Sequence, residues 1–380
     1  MQVLVDVSVL AFPEKTGIAH YVTKVLPGLL NSDVANRYLL FGSSFRNAGR
    51  LREELRDKFP GAQGIVRMIP DKVLDYGLKY ALPLETLAGK EFDLAYLPGP
   101  SLYFTRRAKK VAVIHDVALK RNPDWNKFLY TRSVLFQLQK FLAGIDAIIV
   151  DADATKKDLQ ELYGIPAAKI TVIPLAVDHD QFRPVPDSQI SPEIDQITGG
   201  ADYILFVSTL EPRKNIPNIL RAFSQLKKTG LKEKLVLVGR KGWLCNEIFR
   251  TWEELNLKNE VIFAGYAGNA LLPHFYSRAR FLIFPSLYEG FGLPILEAMA
   301  CGCPIITSSV SSMPEVAGDA ALLVNPYAVE EIAEAMGRLL KDNGLRENLR
   351  RKGMERVKLF SWENTARETL KVFEKICAQN

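Results

Sequence analysis

The chain is predicted to be an α/β protein of two Rossmann-like halves, each a parallel sheet covered by helices, with a cleft between them. Three observations lead to this. Short apolar runs alternate with segments of helical period, and that alternation restarts after a stretch rich in proline and glycine. The length, 380 residues, suits two domains of about 150–200 residues each. Parallel strands are buried on both faces, which is why they read as continuous apolar runs rather than alternating ones.

Taken in order, residues 3–7 give a first strand, a loop passes Pro13 and Gly17, and residues 21–30 give a helix with Val22, Val25, Leu26 and Leu29 on one face. No GxGxxG follows that strand, so a dinucleotide is not indicated. Further strands are predicted at 38–41, 65–69, 94–97, 111–115 and 147–150. Residues 125–142 read as an amphipathic helix whose apolar positions (Phe128, Leu129, Leu135, Leu138, Phe141, Leu142) core packing explains. Asp151-Ala152-Asp153 has the spacing of a metal motif, but a helix starts directly after it, and Asp153 as N-cap explains the residue without a metal. The first domain is drawn as 1–180 and a linker as 181–201, on Pro184, Pro186, Pro192, Gly199 and Gly200. The second domain, 202–361, has strands at 203–207, 235–238, 261–263, 281–284, 304–307 and 321–324. A last helix follows Ser361, its expected cap.

In α/β sheets ligands bind beyond the carboxyl ends of strands, and three stretches stand there with chemistry to offer. The first is residues 284–302, a strand end, a glycine turn (Gly290-Phe291-Gly292) and a helix with Pro294 in its first turn, closed by Gly302. Amides of Gly292 and its neighbours, with the helix dipole, make an anion cradle. Glu289 and Glu297 frame it, and a carboxylate accepting two hydrogen bonds suits a vicinal diol on a ribose or hexose. The second, Ser208-Thr209-Leu210-Glu211-Pro212-Arg213-Lys214-Asn215, puts a bidentate guanidinium and a point charge at a helix start, an arrangement fit for a diphosphate. The third is His115-Asp116, directly after the strand at 111–114.

Composition excludes several classes. No apolar run approaches the roughly 20 residues that span a bilayer, and no signal peptide opens the chain. Four cysteines form no disulfide framework, which indicates a reducing, cytoplasmic setting. Residues 1–175 carry 24 Lys/Arg against 18 Asp/Glu, so the whole net charge of +6 lies in the first half. That excess either steers toward an anionic membrane surface or phosphate-bearing substrate, or is plain solubilising charge. Nucleic acid is not expected as a partner.

Glu289 and Glu297, with seven residues between them inside EGFGLPILEAMACGCPII, resemble the paired-glutamate motif of the retaining glycosyltransferases of family 4, also called group 1. The resemblance covers essentially the whole chain. It implies the two-domain GT-B fold, with the terminal helix (362–380) crossing back to the first domain. It implies a nucleotide-sugar donor on the second domain: Lys214 and Arg213 on the diphosphate, Gly290, Phe291, Gly292 and Leu293 as the cradle, Glu289 on the sugar hydroxyls and Glu297 on the ribose. Ser208, Tyr266 and Gly17 join the donor site, Tyr266 near the base. His115 lies beside the transferred sugar, and Asp116, which could orient it, lines the acceptor cleft with His20. Two departures stand out: Ala19 where many members have a second glycine, and no arginine near Ser208, a role Arg213 can fill. Within the family, EPRKN, His115-Asp116 and TGIxxYV look most like O-antigen and exopolysaccharide mannosyltransferases. GDP-mannose is then the leading donor with UDP-hexoses open, the acceptor a saccharide or lipid-linked saccharide, and no metal or cofactor is required. Peripheral contact with the inner membrane face fits that acceptor. The rival readings are a GT-B-fold sugar-nucleotide epimerase and a non-catalytic nucleotide-sugar-binding protein.

Overall fold

The structure is a computed structural model, and it describes residues 1–12, 17–33, 35–69, 82–99, 103–125 and 132–378, with side chains of 132–137 outside the description. The chain divides into two compact units, one of residues 1–120, 129–175 and 362–380, the other of 121–128 and 176–361.

In the first unit β1 (Gln2–Asp6), β2 (Arg37–Ser43), β3 (Gln63–Arg67), β4 (Leu94–Leu97), β5 (Lys109–Ile114), β6 (Ala147–Val150) and β7 (Ile170–Val172) pair in parallel in the order β3-β2-β1-β4-β5-β6-β7. The order reverses between β1 and β4, and loops diverge at such a switch, leaving room above the strand ends. Every residue of β4 and β6 is buried, which satisfies the parallel-sheet expectation of strands covered on both faces. The core joins Leu4, Leu39, Phe41, Leu97, Ala112, Ile148 and Val150 of the sheet to Leu142 and Leu159 of the covering helices.

The first helix runs Gly17–Ser32, four residues longer at its start than the predicted 21–30, and buries Tyr21, Val22, Val25, Leu26 and Leu29. Gly17 is therefore the first helical residue, exposed, with no atom within 4 Å of where a Cβ would stand. The terminal helix, Trp362–Cys377, belongs to this unit and packs along Gly17–Ser32, bringing Trp362 against His20 and Tyr21 and Phe373 against Tyr96. Asp153 is not an N-cap: it is the first residue of the helix Asp153–Tyr163, and Ala152 holds the cap position without a side-chain bond. Of the amphipathic helix drawn over 125–142, residues 126–131 lie outside the description; Pro123–Trp125 form a 3-10 turn and Arg132–Ala143 the helix.

The second unit carries β8 (Tyr203–Val207), β9 (Lys234–Val238), β10 (Val261–Gly265), β11 (Leu282–Phe284), β12 (Ile305–Ser308) and β13 (Leu322–Val324), all parallel, in the order β10-β9-β8-β11-β12-β13. Here the reversal lies between β8 and β11. The stretch drawn as a linker holds a 3-10 turn, Asp187–Gln189, and a helix, Pro192–Thr198. Within it Ser191 caps the helix, Pro192 opens it, and Gly199 closes it in the left-handed region. Among the described residues no helix is long and apolar enough to cross a membrane.

Candidate functional site

The reversal between β8 and β11 puts the loops after those two strands side by side, and the cations and Glu289 come from them. After β8 the chain passes Ser208 and Leu210, turns through Pro212–Lys214, and enters the helix Ile216–Lys227 by way of Asn215 at φ 62°. Asn215 tolerates that left-handed conformation, and its buried Nδ2 donates to the carbonyls of Pro285 (3.0 Å) and Pro326 (2.6 Å), fixing the turn against two neighbouring loops. The turn is closed against β9 as well. Gly239, just past β9, sits so near the Ser208 carbonyl that a Cβ would come within 1.8 Å of its oxygen.

Between them, the two loops build a buried cluster of four charges. Arg213 donates from Nη1 to Glu289 Oε2 at 2.6 Å and pairs through Nε with Glu211 Oε1 at 2.6 Å. Lys214 Nζ donates to Glu289 Oε1 at 2.6 Å and lies 3.9 Å from Glu211. Burial works to neutralise Glu289, but Arg213 and Lys214 overcome it and hold its carboxyl down at about 2. Burial and the Arg213 charge lower the Lys214 pKa, with Glu289 and Glu211 opposing. Such a cluster is held together by mutual charge rather than by a gain over apolar packing.

Several residues with no role expected from the sequence hold the loop that carries Glu289. Ser311 Oγ donates to the Glu289 carbonyl at 2.6 Å and accepts from the Glu289 amide at 3.3 Å. The fully buried Ser312 hydroxyl lies 2.9 Å from the same carbonyl and 2.8 Å from that of Phe291, and Ser308 donates to the Ser286 carbonyl. Glu211, within EPRKN, is the second anchor of Arg213, a role that the motif by itself does not signal. Only the density of serines in 308–312 hinted at the loop's support.

Beyond that loop, Gly292 at φ 106° lets the chain turn into the helix Leu293–Ala300, with Pro294 in the first turn. A side chain at such a φ is strained, so the glycine is set by backbone geometry. Gly290, Phe291 and Leu293 flank it as read from the sequence. Glu297, one turn further in, is not joined to the cations. It accepts a 2.7 Å hydrogen bond from the hydroxyl of Tyr276, on the helix Leu272–Arg278, and burial pushes its carboxyl up to about 7 despite that bond. Tyr266 stands after β10, 62% exposed as a residue, with the Arg240 guanidinium 4.5 Å from its ring centre.

The first unit assembles a second cluster. His115 follows β5, and its Nδ1 lies 2.7 Å from Oδ2 of Asp151, which follows β6. The expected orienter, Asp116, is exposed and caps the amide of Ala118 instead, at 3.0 Å; it contributes only charge at His115. Tyr21 meets the imidazole edge-on at 5.0 Å, and its hydroxyl shares a 2.6 Å hydrogen bond with that of Tyr96. Burial lowers the His115 pKa, yet Asp151, with help from Asp116 and the Pro98 carbonyl, more than offsets it, so the imidazolium is favoured. His20 packs on Trp362, and Thr16 lies outside the described residues. Among the described residues no group of three or more His, Cys, Asp or Glu is arranged to hold a metal ion.

Comparison with known proteins agrees with both halves. The family profile "Glycosyltransferase Family 4" matches residues 16–181, and "Glycosyl transferases group 1" matches 187–356. The O-antigen chain mannosyltransferase B of Escherichia coli is 32% identical over 279 residues, 73% of each chain. Among solved structures, sucrose-phosphate synthase from Thermosynechococcus elongatus superposes with a TM-score of 0.75 at 22% identity, covering 100% of this chain and 99% of that one. Anabaena Alr3699/HepE in complex with UDP and glucose gives 0.75 at 17% identity, over 98% and 99%. These two likenesses concern the fold, which is GT-B. With both family profiles matched in succession and a relative alike over most of its length, the chain belongs to the family 4, group 1 glycosyltransferases.

Proposed function

We propose that this glycosyltransferase moves mannose from GDP-mannose, with retention of anomeric configuration, onto a saccharide or lipid-linked saccharide in the synthesis of a cell-surface polysaccharide. The observation that carries the donor site is the pair Arg213 and Lys214, both fixed on Glu289 beside the helix start at Gly292. As the glycosidic bond breaks, negative charge builds on the departing diphosphate. Two preorganised cations and a helix N-terminus stabilise that charge more in the transition state than in the bound donor. Glu289 stays ionised and accepts from the sugar hydroxyls, and Glu297 accepts from the ribose. The acceptor attacks on the face the leaving group departs from, and the diphosphate takes up its proton, so no protein nucleophile is assigned. His115 contacts sugar hydroxyls, Asp116 and His20 serve the acceptor, and Ser208 and Tyr266 the nucleotide. Gly17, at a helix start, serves through its backbone alone.

Mannose is favoured by the 32% identical mannosyltransferase. The UDP held by the 17% identical structure carries no weight on the donor, because such a likeness reaches no further than the fold. A thermal-shift panel of GDP, UDP, GDP-mannose and UDP-glucose tests the choice. Stabilisation by the guanosine compounds is expected, and stabilisation by the uridine compounds alone would overturn it. Full activity in EDTA is expected as well. Activity lost in EDTA and restored by manganese would remove the metal-free part of the reading.

A further inference from the structure

We infer that Asp151 is the positioning residue for His115, fixing the imidazole so that Nδ1 bonds inward and Nε2 is the nitrogen presented to a sugar hydroxyl. This rests on the reading of His115 as a sugar-contacting residue. Four observations converge. The Nδ1–Oδ2 separation is 2.7 Å, and Asp151 is only 2% exposed, so no solvent competes for the bond. One other side chain limits the ring: Tyr21 stands against it at an interplanar angle of 75°, and the Tyr21 hydroxyl is itself tied to Tyr96, so the imidazole has little freedom to flip. Third, both residues sit at carboxyl ends of adjacent paired strands, Ile114 opposite Val150, where ligands of such sheets bind.

The fourth observation concerns polar groups left over. His115 Nε2 and Asp151 Oδ1 are buried and make no hydrogen bond of ordinary geometry among the described residues. An orphaned buried polar atom costs stability, on the order of 1–3 kcal/mol. The pair is satisfied where the two side chains meet, and the Pro98 carbonyl further favours the charged imidazole. The arrangement follows the logic by which a carboxylate selects a histidine tautomer for a partner on the other nitrogen.

The charges facing the ring are Asp151 after β6 and Asp116 in the ring's own loop; the phenol Tyr21 against it is un-ionised, as is Tyr96 beyond, and the terminal helix meets those two phenols through Trp362 and Thr369, which carry no charge. Asp151 is therefore the charge whose removal leaves burial largely unopposed and lowers the imidazole's titration.

The test is side-chain NMR of the four histidines in the intact chain, His115 being identified by its loss in His115→Ala, together with transfer kinetics. Wild-type His115 should titrate above the ordinary range and, when neutral, carry its proton on Nδ1. Asp151→Asn should lower that titration and mix the tautomers, with kcat/KM down about tenfold, the scale of one charged hydrogen bond. In the His115→Ala background the same exchange should cost nothing further. Asp151→Ser, which keeps a small polar group, covers the event that the amide variant folds poorly, and the ring-nitrogen shifts of neutral wild-type His115 decide the tautomer by themselves. An unchanged His115 titration in the Asp151 variants, a wild-type proton on Nε2, or losses that multiply in the double variant would overturn the inference. Absence of transfer by the wild-type chain with every donor would instead strike the proposed function, with the NMR outcome still deciding the role of Asp151.

Discussion

Lys214 and Glu289, 75 residues apart in the chain, meet through a 2.6 Å ion pair in which both side chains are buried. Each comes from a loop on one side of the reversal in strand order, so the pair exists only because β8 and β11 are neighbours. The ionised carboxylate keeps the ammonium in place and aimed, so that in the proposed donor site a diphosphate would meet cations that need no reorganisation.

Removing the lysine charge should cost catalysis more than folding. Lys214→Ala leaves Glu289 on Arg213, so the carboxylate is not stranded. The transfer rate at subsaturating donor should fall at least about tenfold, since a charged hydrogen bond contributes roughly 1.5–3 kcal/mol. An unchanged rate would take Lys214 out of the donor site.

Glu289→Gln is expected to behave oppositely, with a large loss of stability. The buried Lys214 and the half-buried Arg213 would then share Glu211 alone, and breaking a buried pair by removing one partner costs about 3–5 kcal/mol. Because the Glu289 pKa is lowered to about 2, the stability it contributes is present above the ordinary glutamate range and fades as pH drops toward 2. Denaturant titration at pH 7 and pH 3 would show the variant's deficit shrinking with acid; a deficit independent of pH contradicts the assignment.

Glu297 carries the reverse sign. Its pKa rises from 4.5 to about 7, so the folded chain holds a proton that the unfolded chain releases, and stability declines as pH climbs through that window. The full penalty is about 3 kcal/mol, each tenfold gain in proton affinity being worth about 1.4 kcal/mol. Glu297→Gln should therefore melt higher than the parent at pH 8 and alike at pH 4. If the ionised form reads the ribose, donor KM should also fall between pH 6 and pH 8 in the parent and stay flat in the variant.

The glycines separate steric need from freedom. Gly239→Ala drives a methyl group into the Ser208 carbonyl, 1.8 Å away, and should destabilise severely. Gly292→Ala should cost about 1–2 kcal/mol for its φ of 106° and weaken donor binding with it. Gly17→Ala, in open space at a helix start, should raise Tm slightly. An equal loss in all three would refute the distinction.

Ser312→Ala tests the support of the Glu289 loop. Its buried hydroxyl serves the carbonyls of Glu289 and Phe291, and losing it should cost about 1–3 kcal/mol and raise donor KM without altering the pH profile. A wild-type Tm would show that the loop is held by Ser311 and Ser308 alone.

The sequence by itself determined the two parallel sheets, the glycine-turned helix at Gly292, the cations ahead of Ile216 and the strand-end position of His115, because each is written in contiguous residues: apolar runs, a turn glycine, charges at a helix start. It did not show the short helix within 181–201, since a capped helix of seven residues and an irregular connection use the same proline and glycine punctuation. Only the tertiary structure decided which charge meets which. That Asp151 rather than Asp116 holds His115, that Glu211 shares Arg213, and that Tyr276 rather than a cation holds Glu297 all follow from strand order and helix packing. The physical reason is that a buried polar group takes the partner the fold brings within 3 Å, and periodicity along the chain carries no record of that choice.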